Sequence, residues 1–210
     1  MRASLIALAL LTCSCAIGPN TASNLLPPTT AKNVVLQDAD IPGLQKCTQS
    51  DVWAGLMLTG EPAMLPTGMA SWSALQGAGA TDGWLSMYAD NDSECVFIFG
   101  VGSLKGRLLY TAAIRFKDSS SAAADFATDS HAFPVADSFL VGFEAVGGKL
   151  TRGASTGFGA NSAVARVSYR GVPTYVAFWQ AKNFEAVVWA DNGLAAEGEA
   201  AASDMNARIR

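Results

Sequence analysis

The chain has 210 residues, half of them hydrophobic and only 15% charged, which suffices for one domain with a core and excludes a globally disordered chain. Its formal net charge is −4 with 14 Lys and Arg, a balance that excludes the basic footprint of a nucleic-acid binder and a polybasic attachment to anionic lipid.

At the N-terminus, Arg2 supplies a positive charge and Leu5 to Leu11 form an apolar run too short to span a bilayer. Thr12, Cys13, Ser14 and Cys15 follow. An apolar run ending in small residues and a cysteine resembles the signal of bacterial lipoproteins. That resemblance implies that the cysteine becomes the acylated first residue of the mature chain and anchors it to a membrane. Cys15, preceded by the small Ser14, is preferred over Cys13, which has the better apolar context but Thr12 before the cut. The competing reading is an ordinary secretory signal cleaved nearby. Residues 16–40 carry Pro19, Pro27 and Pro28 among Thr, Ser and Asn, and read as a flexible tether between residues 1–15 and a single domain over residues 41–210.

Cys47 and Cys95 are the remaining cysteines. Outside the cytoplasm an even pair most simply forms a disulfide, and its long loop predicts roughly 4 kcal/mol of stabilisation in the chain-entropy model. A metal site would need more Cys or His, and His131 is the only histidine. Ser50 and Asp51 open a helix carrying Val52, Trp53 and Leu56, which Gly60 and Pro62 stop. The run Cys47-Thr48-Gln49-Ser50-Asp51-Val52, a short apolar helix, Gly60-Glu61-Pro62 and a second Cys on a later strand (Cys95 before Val96, Phe97, Ile98 and Phe99) resembles the opening of a family of small bacterial cell-envelope lipoproteins of uncharacterised function. The resemblance covers about the first half of the mature chain. It implies an α+β sensor or ligand-binding module and brings no catalytic motif.

Ser71 to Gly79 predict a second short helix with Trp72 and Leu75 inward. Trp84 to Ala89 and Cys95 to Gly100 predict strands around a polar turn, Asp90 to Glu94. Leu108 to Lys117 alternate as the cleanest amphipathic strand, and Asp118 or Ser119 caps a helix reaching Phe133 before Pro134. After an irregular, Gly-rich stretch from Val135 to Ala160, Ser162 to Ala190 read as a three-stranded meander with turns at Gly171-Val172-Pro173 and Lys182-Asn183. A C-terminal helix from Gly193 to Ile209 places Leu194, Ala201, Ala202, Met205 and Ile209 on one stripe. This stripe should meet Phe184, Ala186 and Val188, with Tyr175, Ala177 and Trp179 beside them, because the opposite parity includes Glu185 and Asp191. The expected fold is α+β: an antiparallel sheet with helices packed on it, in two strands-then-helix halves. It resembles, at the level of fold only, modules in photosystem-associated extrinsic proteins and some bacterial sensor ectodomains.

Four constellations bear on chemistry. His131 would have to serve any Ser/His/Asp triad, but no nucleophile-elbow motif accompanies it, and a late-helix surface residue is the plainer reading. Asp90, Asp92 and Glu94 alternate as calcium ligands do, yet lack the Gly and the distal Glu of an EF-hand loop, so a solvated hairpin tip is expected. Gly157-Phe158-Gly159 lacks the Lys and the following helix of a phosphate cradle. The five tryptophans are mainly core material. The last hairpin, however, carries aromatics on both faces, and a solvated face with Trp189, Arg166 and Arg170 would suit a glycan or a partner protein. The sequence therefore favours a non-catalytic, lipid-anchored envelope module that needs neither metal nor cofactor. Its partners would be the membrane, through the lipid, and an envelope protein, a glycan or a small apolar ligand. A cell-envelope hydrolase using His131 is the alternative.

Overall fold

A computed structural model describes residues 29–48, 50, 72–97, 102–127, 137–169 and 171–209. Period-2 patterning produces β1 (Gln45–Lys46), β2 (Ala80–Ala89), β3 (Leu108–Phe116), β4 (Lys149–Arg152), β5 (Ser162–Tyr169), β6 (Val172–Ala181) and β7 (Phe184–Asp191). They form one seven-stranded sheet in the order β1-β2-β3-β7-β6-β5-β4, with antiparallel neighbours throughout. The chain builds β1 to β3, crosses to the far edge, and returns through the meander β4 to β7 until β7 docks on β3. The helices are α1 (Ala31–Val34), α2 (Trp72–Gly77), α3 (Ser119–Ala127), α4 (Asp137–Ala145) and α5 (Ala195–Arg208). The expected α+β fold, with an antiparallel sheet and helices packed on it, is the fold observed.

Both faces of the sheet are covered. On one, α1 and α5 pack over Phe184, Ala186 and Val188 of β7 and Tyr175, Ala177 and Trp179 of β6. The register pairs Tyr175 with Ala190, Ala177 with Val188 and Trp179 with Ala186. Leu194, Ala201, Ala202, Met205 and Ile209 supply the helical side, as the stripe predicts. On the other face Trp72 and Leu75 of α2, Ala122 of α3 and Phe143 of α4 pack over Leu85, Met87, Leu108, Ala112, Ile114, Phe116, Phe178 and Val187. Cys47 and Cys95 form a disulfide on this side, with Cα atoms 5.9 Å apart.

Several expectations change. The parity of Glu185 and Asp191 reads as solvent-facing, but both side chains are buried, because the second helical layer covers that face. Leu109, Thr111 and Ala113 of β3 are buried for the matching reason on the first face. The domain also begins before Ile41. Ala31, Val34, Val35 and Leu36 are buried, and Asp82 accepts the Ala31 N–H at 2.7 Å. Arg208 of α5 clamps the same segment, donating to Val35 O at 3.0 Å and pairing with Asp40 at 2.7 Å. A segment rich in Pro and Thr thus still has four apolar residues to bury, and the sheet offers them a place.

Cys95 to Phe97 lie in turns rather than a strand, and residues 98–101 are outside the described residues. The stretch read as irregular holds α4, β4 and a 3₁₀ turn, Gly153–Thr156. The helix at Ser119 starts as expected, since Asp118 Oδ1 accepts the Ser121 N–H at 2.7 Å. Its extension to Phe133 and the helix after Ser50 fall outside the described residues, as do Cys13, Cys15, His131 and Arg170.

Candidate functional site

On the α5 face, strands β4, β5 and β6 and the 3₁₀ turn border a cleft of about 230 Å³ beside α5. Strand β4 contributes Thr151, the 3₁₀ turn Ser155 and Thr156, β5 Val164 and Arg166, β6 Tyr175, and α5 Glu199. Phe158 completes the lining from a loop whose flanking glycines, Gly157 and Gly159, have φ of 87° and 97°. Side chains with a Cβ avoid that region, so this Gly-Phe-Gly turn is where the chain can double back. The ring of Phe158 is thereby laid on Trp179, with centroids 5.0 Å apart and planes at 25°. Trp179 Nε1 is buried with no hydrogen-bond acceptor among the described residues, a cost of about 1–3 kcal/mol. Ser162 fixes the base of the loop: its hydroxyl lies 3.0 Å from Gly153 O, 2.6 Å from Gly159 O and 2.6 Å from Thr156 Oγ1.

The charged wall is a pair. Arg166 donates to Glu199 Oε1, and its guanidinium lies over the Tyr175 ring, 5.5 Å from the centroid. Both charged side chains are about half exposed, at 46% and 49%, so the pair adds at most about 1 kcal/mol to stability, and its geometry is the informative feature. Burial, followed by the nearby Glu199 carboxylate, pushes the Tyr175 phenol up to about 12, with Arg166 opposing. Tyr175 is therefore a neutral hydroxyl at any physiological pH. The close seating of α5 needs Gly198, where a Cβ would come within 2.6 Å of Tyr175 Cδ1 and 2.9 Å of Ala190 Cβ. The cleft therefore presents hydroxyls, an aromatic ring and one internally neutralised ion pair.

Strand register puts Trp189 and Arg166, two of the three residues expected to share a binding patch, on opposite faces of the sheet. Arg166 is paired with Tyr175 and shares its face, whereas Trp189 is paired with Val176 and Tyr110 and faces the other way. Trp189 stacks on Tyr110 at 5.9 Å and meets Phe143 of α4 edge-on at 6.2 Å. It is packing material between sheet and helix. Its indole N–H lies 3.0 Å from both carboxylate oxygens of Asp191, while Thr174 Oγ1 lies 2.5 Å from Oδ1. Burial pushes the Asp191 carboxyl up to about 6, with the Thr174 and Trp189 hydrogen bonds opposing. Thr174 has a single hydroxyl hydrogen and also lies 3.0 Å from Val172 O. A protonated Asp191 can donate to Thr174 Oγ1 and leave that hydrogen for Val172, an arrangement closed to the carboxylate.

Two of the three carboxylates at the acidic tip, Asp90 and Glu94, are already engaged by the protein, while Asp92 is exposed. Asp90 accepts the Arg107 N–H at 2.7 Å and pairs with its guanidinium, which holds the Asp90 carboxyl below the usual range. Glu94 is buried and accepts the Lys105 N–H at 2.9 Å. Among the described residues no group of three metal-ligating side chains occurs.

Comparison with known proteins returned no matching family model, curated protein or solved structure. The function has to be argued from the site itself.

Sequence reasoning missed most of the cleft. The signals were Gly157-Phe158-Gly159, a small aromatic turn with no motif to claim it, and Gly198 between Glu197 and Glu199 in a helix that otherwise favours Ala.

Proposed function

We propose that the protein is a lipid-anchored, extracytoplasmic module that binds a small polar ligand without converting it, and that the cleft beside α5 is the ligand site. The observation that carries this reading is the paired Arg166 and Glu199 at the mouth of a hydroxyl-lined cleft. The pair occupies the one carboxylate of the lining, and Tyr175 holds its proton, so the lining offers recognition rather than a general base. The hydroxyls and the ion pair, which make up about half of the lining, favour a ligand with polar groups over the wholly apolar one also expected from sequence. The Cys47–Cys95 disulfide suits an oxidising compartment. The lipoprotein-like run before Cys13 and Cys15 supplies the anchor in this reading.

Two measurements test it. Replacing Cys13 and Cys15 together by Ala should move the protein from the membrane to the soluble fraction, and continued membrane association would defeat the anchoring. For the site, Ser155→Trp places a large ring in the cleft from an exposed position. It should abolish saturable binding of small polar probes while leaving the melting temperature nearly unchanged. Binding that survives the substitution would place the ligand elsewhere.

A further inference from the structure

Resting on the cleft as ligand site, we infer that its ligand is a neutral saccharide unit, held by the Arg166–Glu199 pair through adjacent hydroxyls and seated against Phe158. Size sets the first limit. At about 230 Å³ the cleft lies below the roughly 300–1,000 Å³ of sites for drug-sized ligands, so it admits one ring-sized unit.

Charge sets the second limit. The lining carries one positive and one negative side chain, already joined. An anion that accepts from Arg166 also meets the Glu199 carboxylate beside it, and a cation on Glu199 meets the Arg166 guanidinium, so the joined pair attracts neither sign of charge strongly. A neutral polyol meets no such repulsion. One hydroxyl donates to the free lone pairs of Glu199, its neighbour accepts from a remaining guanidinium N–H, and the pair stays closed. Vicinal hydroxyls match this side-by-side donor and acceptor.

The remaining walls fit the same class. Thr151 and Ser155 supply hydroxyls that can donate or accept. Phe158 is half-buried and backed by Trp179, which fixes its ring as an apolar platform beside polar groups. A pyranose has the complementary surface: a C–H-rich face for the electron-rich ring face and an equatorial rim of hydroxyls.

The test uses the purified chain with its disulfide intact, titrated by calorimetry and saturation-transfer NMR. The probes are glucose, galactose and N-acetylglucosamine, with glucose 6-phosphate as an anionic probe and alanine as a zwitterionic one. At least one neutral sugar should bind in the millimolar range or tighter, and more tightly than the two charged probes. Glu199→Gln should weaken it about tenfold by removing a charge-assisted hydrogen bond, and Phe158→Ala should weaken it while the far-UV spectrum is retained. Preferential binding of glucose 6-phosphate or alanine, abolished by Ser155→Trp, would overturn the neutral-saccharide assignment and leave the cleft as the ligand site. Sugar binding unaffected by Ser155→Trp, or no binding by any probe, would overturn both.

Discussion

Replacing Asp191 by Asn removes a carboxyl whose burial opposes folding at neutral pH. The side chain is 1% exposed, so solvent screening is slight. Its folded-state value of about 6 stands above the ordinary 3.8, and a gap of that size corresponds to about 3 kcal/mol. The sign follows from proton binding. Between these two values the folded state holds the proton and the unfolded state has released it. Stability from this group is therefore full below about pH 4 and is lost as pH rises through 6. Asn resembles the protonated form and carries no charge at any pH. The variant should match the parent near pH 4 and exceed it at pH 7.5 by up to about 3 kcal/mol, less whatever the Trp189 and Thr174 hydrogen bonds lose. Urea unfolding of both proteins at half-unit steps from pH 4 to 7.5 isolates this contribution, because other carboxyls cancel in the difference. A difference that stays constant across the range would refute the reasoning.

Gly198→Ala gains about 1 kcal/mol of helix propensity but drives a methyl into Tyr175 and Ala190, an overpacking cost of about 1–3 kcal/mol; the melting temperature should fall, and a rise would mean that α5 can lift from the sheet. Cys95→Ala opens a disulfide between residues separated by 48 positions and should cost about 2–5 kcal/mol in denaturant titration, with no change on adding reductant. Ending the chain before Met205 removes the buried Met205 and Ile209 and the Arg208 clamp on Asp40; at about 1.5–3 kcal/mol per large apolar side chain the unfolding midpoint should drop sharply, and an unchanged midpoint would make the last turn an appendage.

The meander and its helix were legible because local chemistry and global packing agree there. Lys182 and Asn183 form the two-residue turn, with Lys182 at φ 51°, and the parity of Phe184, Ala186 and Val188 follows from it. The Cys47–Cys95 pairing was legible because reading Cys13 and Cys15 as part of a signal leaves one pair of cysteines. Glu185 and Asp191 misled because polar residues usually mark the wet face, and here a second helical layer buries them. Helix α4 was hidden among glycines, and its role is set by a distant residue, Trp189, which its Phe143 covers. The cleft was the least legible feature. Arg166, Tyr175 and Glu199 belong to three elements, and only the antiparallel register and the close seating of α5 at Gly198 bring them together.

The last strand of the chain is the sheet's central one. Until Phe184–Asp191 is in place, β3 on one side and β6 on the other each present a bare hydrogen-bonding edge, and neither half-sheet is complete. The decisive contacts join residues far apart in sequence, so closing the sheet requires a long, entropically costly loop to form first. Folding is thus committed only when the C-terminal segment is available. For a chain proposed to work outside the cytoplasm, this delay leaves the sheet incomplete until its last strand is available. It also makes the interval before β7 docks the period in which two such chains are most prone to pair edge to edge.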